Sequence, residues 1–146
     1  MSKKEISLVV LLVVIATTYV CFFTTWFKPK KIGIFHTARQ TTRMMRRIHN
    51  HDLPYVLFGL EGRYRLTDVK VVALDKFNAD PNTSPVWHLI SDSNSVWVQQ
   101  FAYGQRIGGM KPAFEGERPD GLETNVTYRL FVIAGRATGF NDFTIQ

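Results

Sequence analysis

The hydrophobic pattern divides the chain into three textures. From Ile6 to Phe27 it reads ISLVVLLVVIATTYVCFFTTWF, 22 residues without a charge. As a helix this run spans roughly 33 Å, enough for a hydrocarbon core of about 30 Å. Its β-branched residues would weaken a helix in water. In lipid every backbone group must be paired internally, and a helix is the only local solution. Thr17, Thr18, Thr24 and Thr25 can bond back to the preceding turn. Trp26, followed by Lys28, Lys30 and Lys31, predicts an interfacial belt where the span ends. A cleaved secretory signal would also start with a basic tail such as Lys3-Lys4. Its apolar core, however, is about 7–15 residues long and a small-residue cleavage site follows, neither of which is found here. The pattern therefore predicts a tail over 1–5 and an uncleaved signal anchor over 6–27, in a single-pass membrane protein.

Residues 28–51 form the second texture. Pro29 and Gly33 interrupt the membrane helix. Beyond them Ile34, Ala38, Met45 and Ile48 fall near one helical face, while Arg39, Arg43, Arg46 and Arg47 cluster on another. The spacing predicts a short basic helix that lies on lipid or docks a partner, or else a solvated stalk.

After Asp52 the pattern changes to short alternating runs separated by turn residues, giving a third region over 52–146. Residues 63–74 read as one strand with a bulge near Thr67-Asp68. Val86 to Ile90 and Val96 to Tyr103 read as strands joined in a hairpin by Ser91 to Ser95. Gly104 to Gly121 carries five glycines and two prolines and predicts a long loop or a pair of edge turns. Thr127 to Ala134 alternates cleanly, with Tyr128, Leu130, Val132 and Ala134 on one face. Phe140 to Ile145 is a last short strand. Short strands with no intervening helix predict a mainly β fold, a small sandwich.

Charge sharpens this division. Residues 1–51 hold nine Lys or Arg against one acid, Glu5, a net of +8. Residues 52–146 hold nine against eleven, a net of −2, so the chain's +6 belongs to its first third. A nucleic-acid-binding fold would carry its basic residues on the folded part, so no nucleic acid is expected as a partner. A basic segment beside a membrane span fits anionic headgroups instead. The positive-inside rule, applied literally, puts the C-terminal domain in the cytoplasm. A short Lys-Lys tail before a long apolar run is also the opening of a bacterial signal anchor whose domain is exported, and the expectation tips slightly to the extracytoplasmic side.

The stretch from Leu122 to Ala134, LETNVTYRLFVIA, resembles the E–F corner of fibronectin type III and related immunoglobulin-like sandwiches. There a leucine stands six residues before a tyrosine that opens an alternating strand. The resemblance covers about 25 residues counting the hairpin that would follow. It implies that Tyr128 packs inward and bonds its hydroxyl to nearby backbone, as a tyrosine corner. It also implies a module that binds partners or acts as a spacer.

Candidate chemistry is sparse. The lone Cys21 lies inside the apolar run, which excludes an internal disulfide or a thiolate metal site. His49 and His51 could both ligate a metal from an extended strand, but spacing identifies no third ligand, and His36 and His88 are scattered. Trp97, Phe101 and Tyr103 make either a recognition strip or one buried strand face. Asn125-Val-Thr127 spells a glycosylation acceptor that overlaps a strand start. No phosphate loop, nucleophile elbow or Cys-His pair is present, so neither an enzyme nor a cofactor is expected. The expectation is a membrane-anchored, non-catalytic structural or interaction module, an accessory subunit whose partners are the bilayer and other membrane or envelope proteins. A pilin-like secretion component is the alternative, although Glu5 precedes the apolar run and no processing glycine stands before it. A histidine-based metalloprotein is a third reading.

Overall fold

The computed structural model describes residues 3–23, 30–39 and 55–146. Helix α1 runs over Lys3–Phe23, starting a little before the apolar run. Thr17 and Thr18 donate to the carbonyls of Val13 and Val14 at 2.7 and 2.8 Å, the back-bonding that lets a hydroxyl sit in an apolar environment. The window Lys3–Phe22 has a mean hydropathy of 2.3, and none of it is buried among the described residues. It is long and apolar enough to cross a membrane.

The remainder is mainly β, in two antiparallel sheets. Strands β1 (Ile34–Arg39), β2 (Tyr55–Arg65) and β5 (Trp97–Ala102) form a three-stranded sheet in the order β1-β2-β5. Strands β3 (Asp68–Ala73), β4 (Trp87–Ile90), β6 (Lys111–Pro112), β7 (Thr127–Ala134) and β8 (Ala137–Thr144) form the second, in the order β6-β4-β3-β7-β8. Aromatic rings fill the space between them. Phe58 and Phe101, cross-strand partners on β2 and β5, meet Phe143 of β8 and Trp87 of β4 at centroid distances of 5.0 and 6.2 Å respectively. Tyr128 stacks on Phe143 at 5.8 Å. Burying such rings is the largest single source of packing energy in a domain this small.

Five expectations change. The basic helix predicted from Ile34 is instead strand β1, paired residue for residue with β2 from Ile34↔Leu60 to Arg39↔Tyr55. Six residues with an outward Phe35 and an inward-leaning Ile34 satisfy either period, and the partner that decides lies some twenty residues further on. The β region also reaches back past the expected boundary at 52, because Ile32 is buried in its core.

The strand read over 63–74 is two strands in different sheets. Between them Leu66 is fully buried, and Thr67 N–H already donates to Ile133 of the second sheet. The expected Ser91–Ser95 hairpin is a second crossing, since β4 and β5 also lie in different sheets. Finally, a helix of six residues, α2 (Leu74–Ala79), appears where none was expected. Its Phe77 covers Phe131 on the outside of the second sheet, at 5.3 Å.

The link from α1 enters the β region at a defined place. Thr138 N–H donates to Lys30 and Ile32 N–H donates to Thr138, both at 2.9 Å, so residues 30–32 run parallel to the start of β8. Gly139 makes this approach possible: a Cβ there would stand 2.5 Å from the Ile32 carbonyl oxygen.

Candidate interaction surface

The outer face of the β1-β2-β5 sheet gathers exposed aromatic and cationic side chains in one place. β2 and β5 pair regularly from Leu57↔Ala102 to Gly59↔Gln100, then lose register until Tyr64↔Val98. The mismatch turns Gln99 and Gln100 both outward between the buried Val98 and Phe101. Phe35 lies flat over Gly59, so closely that any side chain there would occupy the ring's position. Ser95 fixes the other border. It is buried, its Oγ accepts from Leu66 N–H at 2.7 Å, and it donates to the Val96 carbonyl. Val96 N–H then donates to Gly108, which ties the loop 105–108 alongside β5.

These elements enclose an open groove of about 590 Å³, lined by Phe35, Arg63, Trp97, Gln99, Gln100, Gln105 and Arg106 among others. Trp97 is 65% exposed, Phe35 60% and Val96 55%, large apolar groups left in water. Arg65 holds its guanidinium 5.6 Å from the centre of the Trp97 ring. Among the described residues no carboxylate forms an ion pair with Arg63, Arg65 or Arg106. The groove offers flat aromatic surface, amide donors and acceptors, and unspent positive charge. That combination suits an extended, acidic chain.

The residues singled out from sequence are dispersed. Trp26, Lys28, Arg43, Arg46, Arg47, His49 and His51 lie outside the described residues. Lys30 and Lys31 are exposed, and Lys30 Nζ stands 6.0 Å over the Tyr64 ring. Arg39 ends β1 opposite Tyr55, at the end away from Lys31. Tyr128 is buried and its hydroxyl accepts from Glu123 N–H at 2.9 Å. Of the aromatic strip, Trp97 is exposed while Phe101 and Tyr103 are buried. Tyr103 donates to the Asp120 carbonyl at 2.8 Å, and burial, with Asp120 nearby, pushes its pKa well above 10.

His36 pairs with Asn141 at 2.6 Å and His88 with Asp68 at 3.3 Å. Among the described residues no group of three or more His, Cys, Asp or Glu is placed to hold a metal. Sequence reasoning missed Phe35, Arg63, Arg65 and Arg106. The Arg-x-Arg spacing on β2 does carry a signal, because residues two apart on a strand share a face. Phe35 over Gly59 carries none, since that contact is made between strands.

Compared with known protein families, curated proteins and solved structures, the chain matches none of them.

Proposed function

We propose that this chain is a single-pass, membrane-anchored interaction module, an accessory subunit that uses its groove to hold an acidic, extended segment of another membrane or envelope protein. The groove is the observation that carries this reading: exposed Trp97 and Phe35 beside Arg63 and Arg106, with no carboxylate in an ion pair with either arginine among the described residues. Exposed aromatic residues beside arginine are the composition that distinguishes binding surfaces from ordinary protein surface.

The scaffold reading goes with it. The order β1-β2-β5 has the pattern of strands A, B and E in an immunoglobulin-like sandwich, and β3-β7-β8 that of C, F and G. The bond from Glu123 N–H to the Tyr128 hydroxyl, at the start of β7, is the bond of a tyrosine corner. Both support a fibronectin-like module, with β4 and β6 extending the second sheet. Such modules present surfaces and carry little chemistry of their own.

The test is purification of the full chain from detergent, wild type beside Arg63→Glu/Arg106→Glu. A stoichiometric partner held by wild type and lost from the double variant supports the reading. A monomer in both, or a partner held equally by both, refutes it. A reporter fused after Gln146 and active on one side of the membrane tests the extracytoplasmic placement separately.

A further inference from the structure

The way the chain enters the β region orients that region relative to its own anchor. Seven Cα–Cα steps separate Phe23, the last described residue of α1, from Lys30, so the two are at most about 25 Å apart. Lys30 and Ile32 are then fixed by backbone bonds to Thr138. Thr138 lies opposite Ile133, and Ile133 opposite Asp68. One end of the two sheets, carrying the crossing at Leu66-Thr67 and the Gly135 turn, is therefore held close to the end of the apolar helix.

The two ends differ in charge. The end near α1 exposes Lys30, Lys31, Arg65 and Arg136. Of its acids, Asp92 pairs with Lys111 at 2.7 Å, Asp68 is hydrogen-bonded to His88 at 3.3 Å, and Glu61 forms no ion pair among the described residues. The far end, where Ala73 meets Tyr128, carries Asp75, Asp80 and Glu123 around α2 and the approach to β7, against Lys76 of α2 and Arg39 at the end of β1. A surface of negative potential would draw the first end in preference to the second. At physiological salt that field decays over about 8 Å, so only groups held near the bilayer feel it.

We propose that the β region stands on the anionic headgroups of the bilayer that holds its own helix, seated through Lys30, Lys31, Arg65 and Arg136. The seat rests on the single-pass reading. It fixes the groove at the membrane-proximal corner, with Trp97 next to Arg65, so a bound segment would lie close to the membrane surface. It also assigns a lipid role to cations of the folded part, where charge counting along the chain pointed only to the segment before it.

The experiment uses the full chain in lipid nanodiscs, in a Cys21→Ser background, with a fluorophore on Thr138→Cys or, at the far end, on Thr124→Cys. Lipids carrying a headgroup quencher report proximity, in neutral discs and in discs with phosphatidylglycerol. The expected result is quenching at position 138 about twofold stronger in anionic than in neutral discs, lost near 0.5 M salt where the Debye length is roughly 4 Å. Lys30→Gln/Lys31→Gln/Arg65→Gln/Arg136→Gln should abolish the difference, and position 124 should show none. Equal quenching at 138 in both lipids, or a difference that survives the fourfold variant, means that the tether alone sets the distance and overturns the seat. Flotation with lipid after an alkaline wash is scored in parallel. A chain that fails to float overturns the anchor and the seat together, whereas one that floats without lipid-dependent quenching overturns only the seat.

Discussion

The outer faces of the two sheets contain similar residues in opposite states. On the five-stranded sheet, Arg129 makes two bonds to Asp142 at 2.6 and 2.7 Å and lies 4.8 Å over the Phe140 ring. Phe131 is covered by Phe77 and approached by Lys70 at 5.5 Å. On the three-stranded sheet, Arg63 and Arg106 have no ion pair among the described residues, and Phe35 and Trp97 stand in water. Arginine beside an aromatic ring is thus no mark of a binding site by itself. What separates the faces is whether cross-strand neighbours already use the charge. Asp142 lies directly opposite Arg129 in register, while Arg65 of β2 lies opposite Trp97 and Arg63 lines the groove with Gln99, Gln100 and the 105–108 loop.

The largest effect should come from Ser95, the buried hydroxyl that holds the border of the open face. Ser95→Ala leaves the Leu66 N–H without a partner in the core and should cost about 1–3 kcal/mol, read as a lower midpoint of thermal unfolding in detergent. A change of a few tenths would mean that the open face is not braced there. Next in size is charge reversal. Arg63→Glu/Arg106→Glu should weaken partner retention by about tenfold, near 1.4 kcal/mol, and leave the unfolding midpoint almost unmoved. Arg129→Glu on the closed face should do the reverse. If both variants behaved alike, the distinction between the faces would collapse.

A smaller effect, about 1 kcal/mol, is expected for Tyr128→Phe, which removes the hydroxyl that accepts from Glu123 N–H and keeps the ring on Phe143. Calorimetry of the two proteins would measure it. The strand that holds Tyr128 also shows what was legible in advance. Strand β7 and its neighbour β8 form a tight hairpin, so their pairing is local and their alternation undisturbed. The apolar helix was legible for a similar reason, because composition alone decides it. The crossings at Leu66-Thr67 and Ser91–Ser95 were not, since a slip in alternation reads equally as a bulge within one strand and a short polar link equally as a hairpin. Strand β1 was misjudged because its arginine and its apolar residues fit a helix until β2 supplies the bonds. The groove was legible only in part, through Trp97, the one exposed member of the aromatic strip. Its other wall comes from Phe35 and from a loop that tertiary contacts alone bring near.

The finest test of the closed face is its pH dependence. The bonds from Arg129 hold the Asp142 carboxyl below its ordinary 3.8, although burial works against them. A carboxyl whose pKa falls on folding contributes stability that is complete above the unfolded value and disappears as pH drops through the lower, folded one. Both side chains are partly exposed, so water screens the pair and its worth should be a few tenths of a kcal/mol. Wild type should therefore exceed Asp142→Asn slightly in thermal midpoint near neutral pH, and the gap should close as the pH falls below about 4. No such pH-dependent gap is expected between wild type and Arg63→Gln, because among the described residues no carboxylate forms an ion pair with Arg63. A gap that opened for Arg63→Gln as well would show that the open face, too, carries a carboxylate partner, and would remove the reason for reading it as a site.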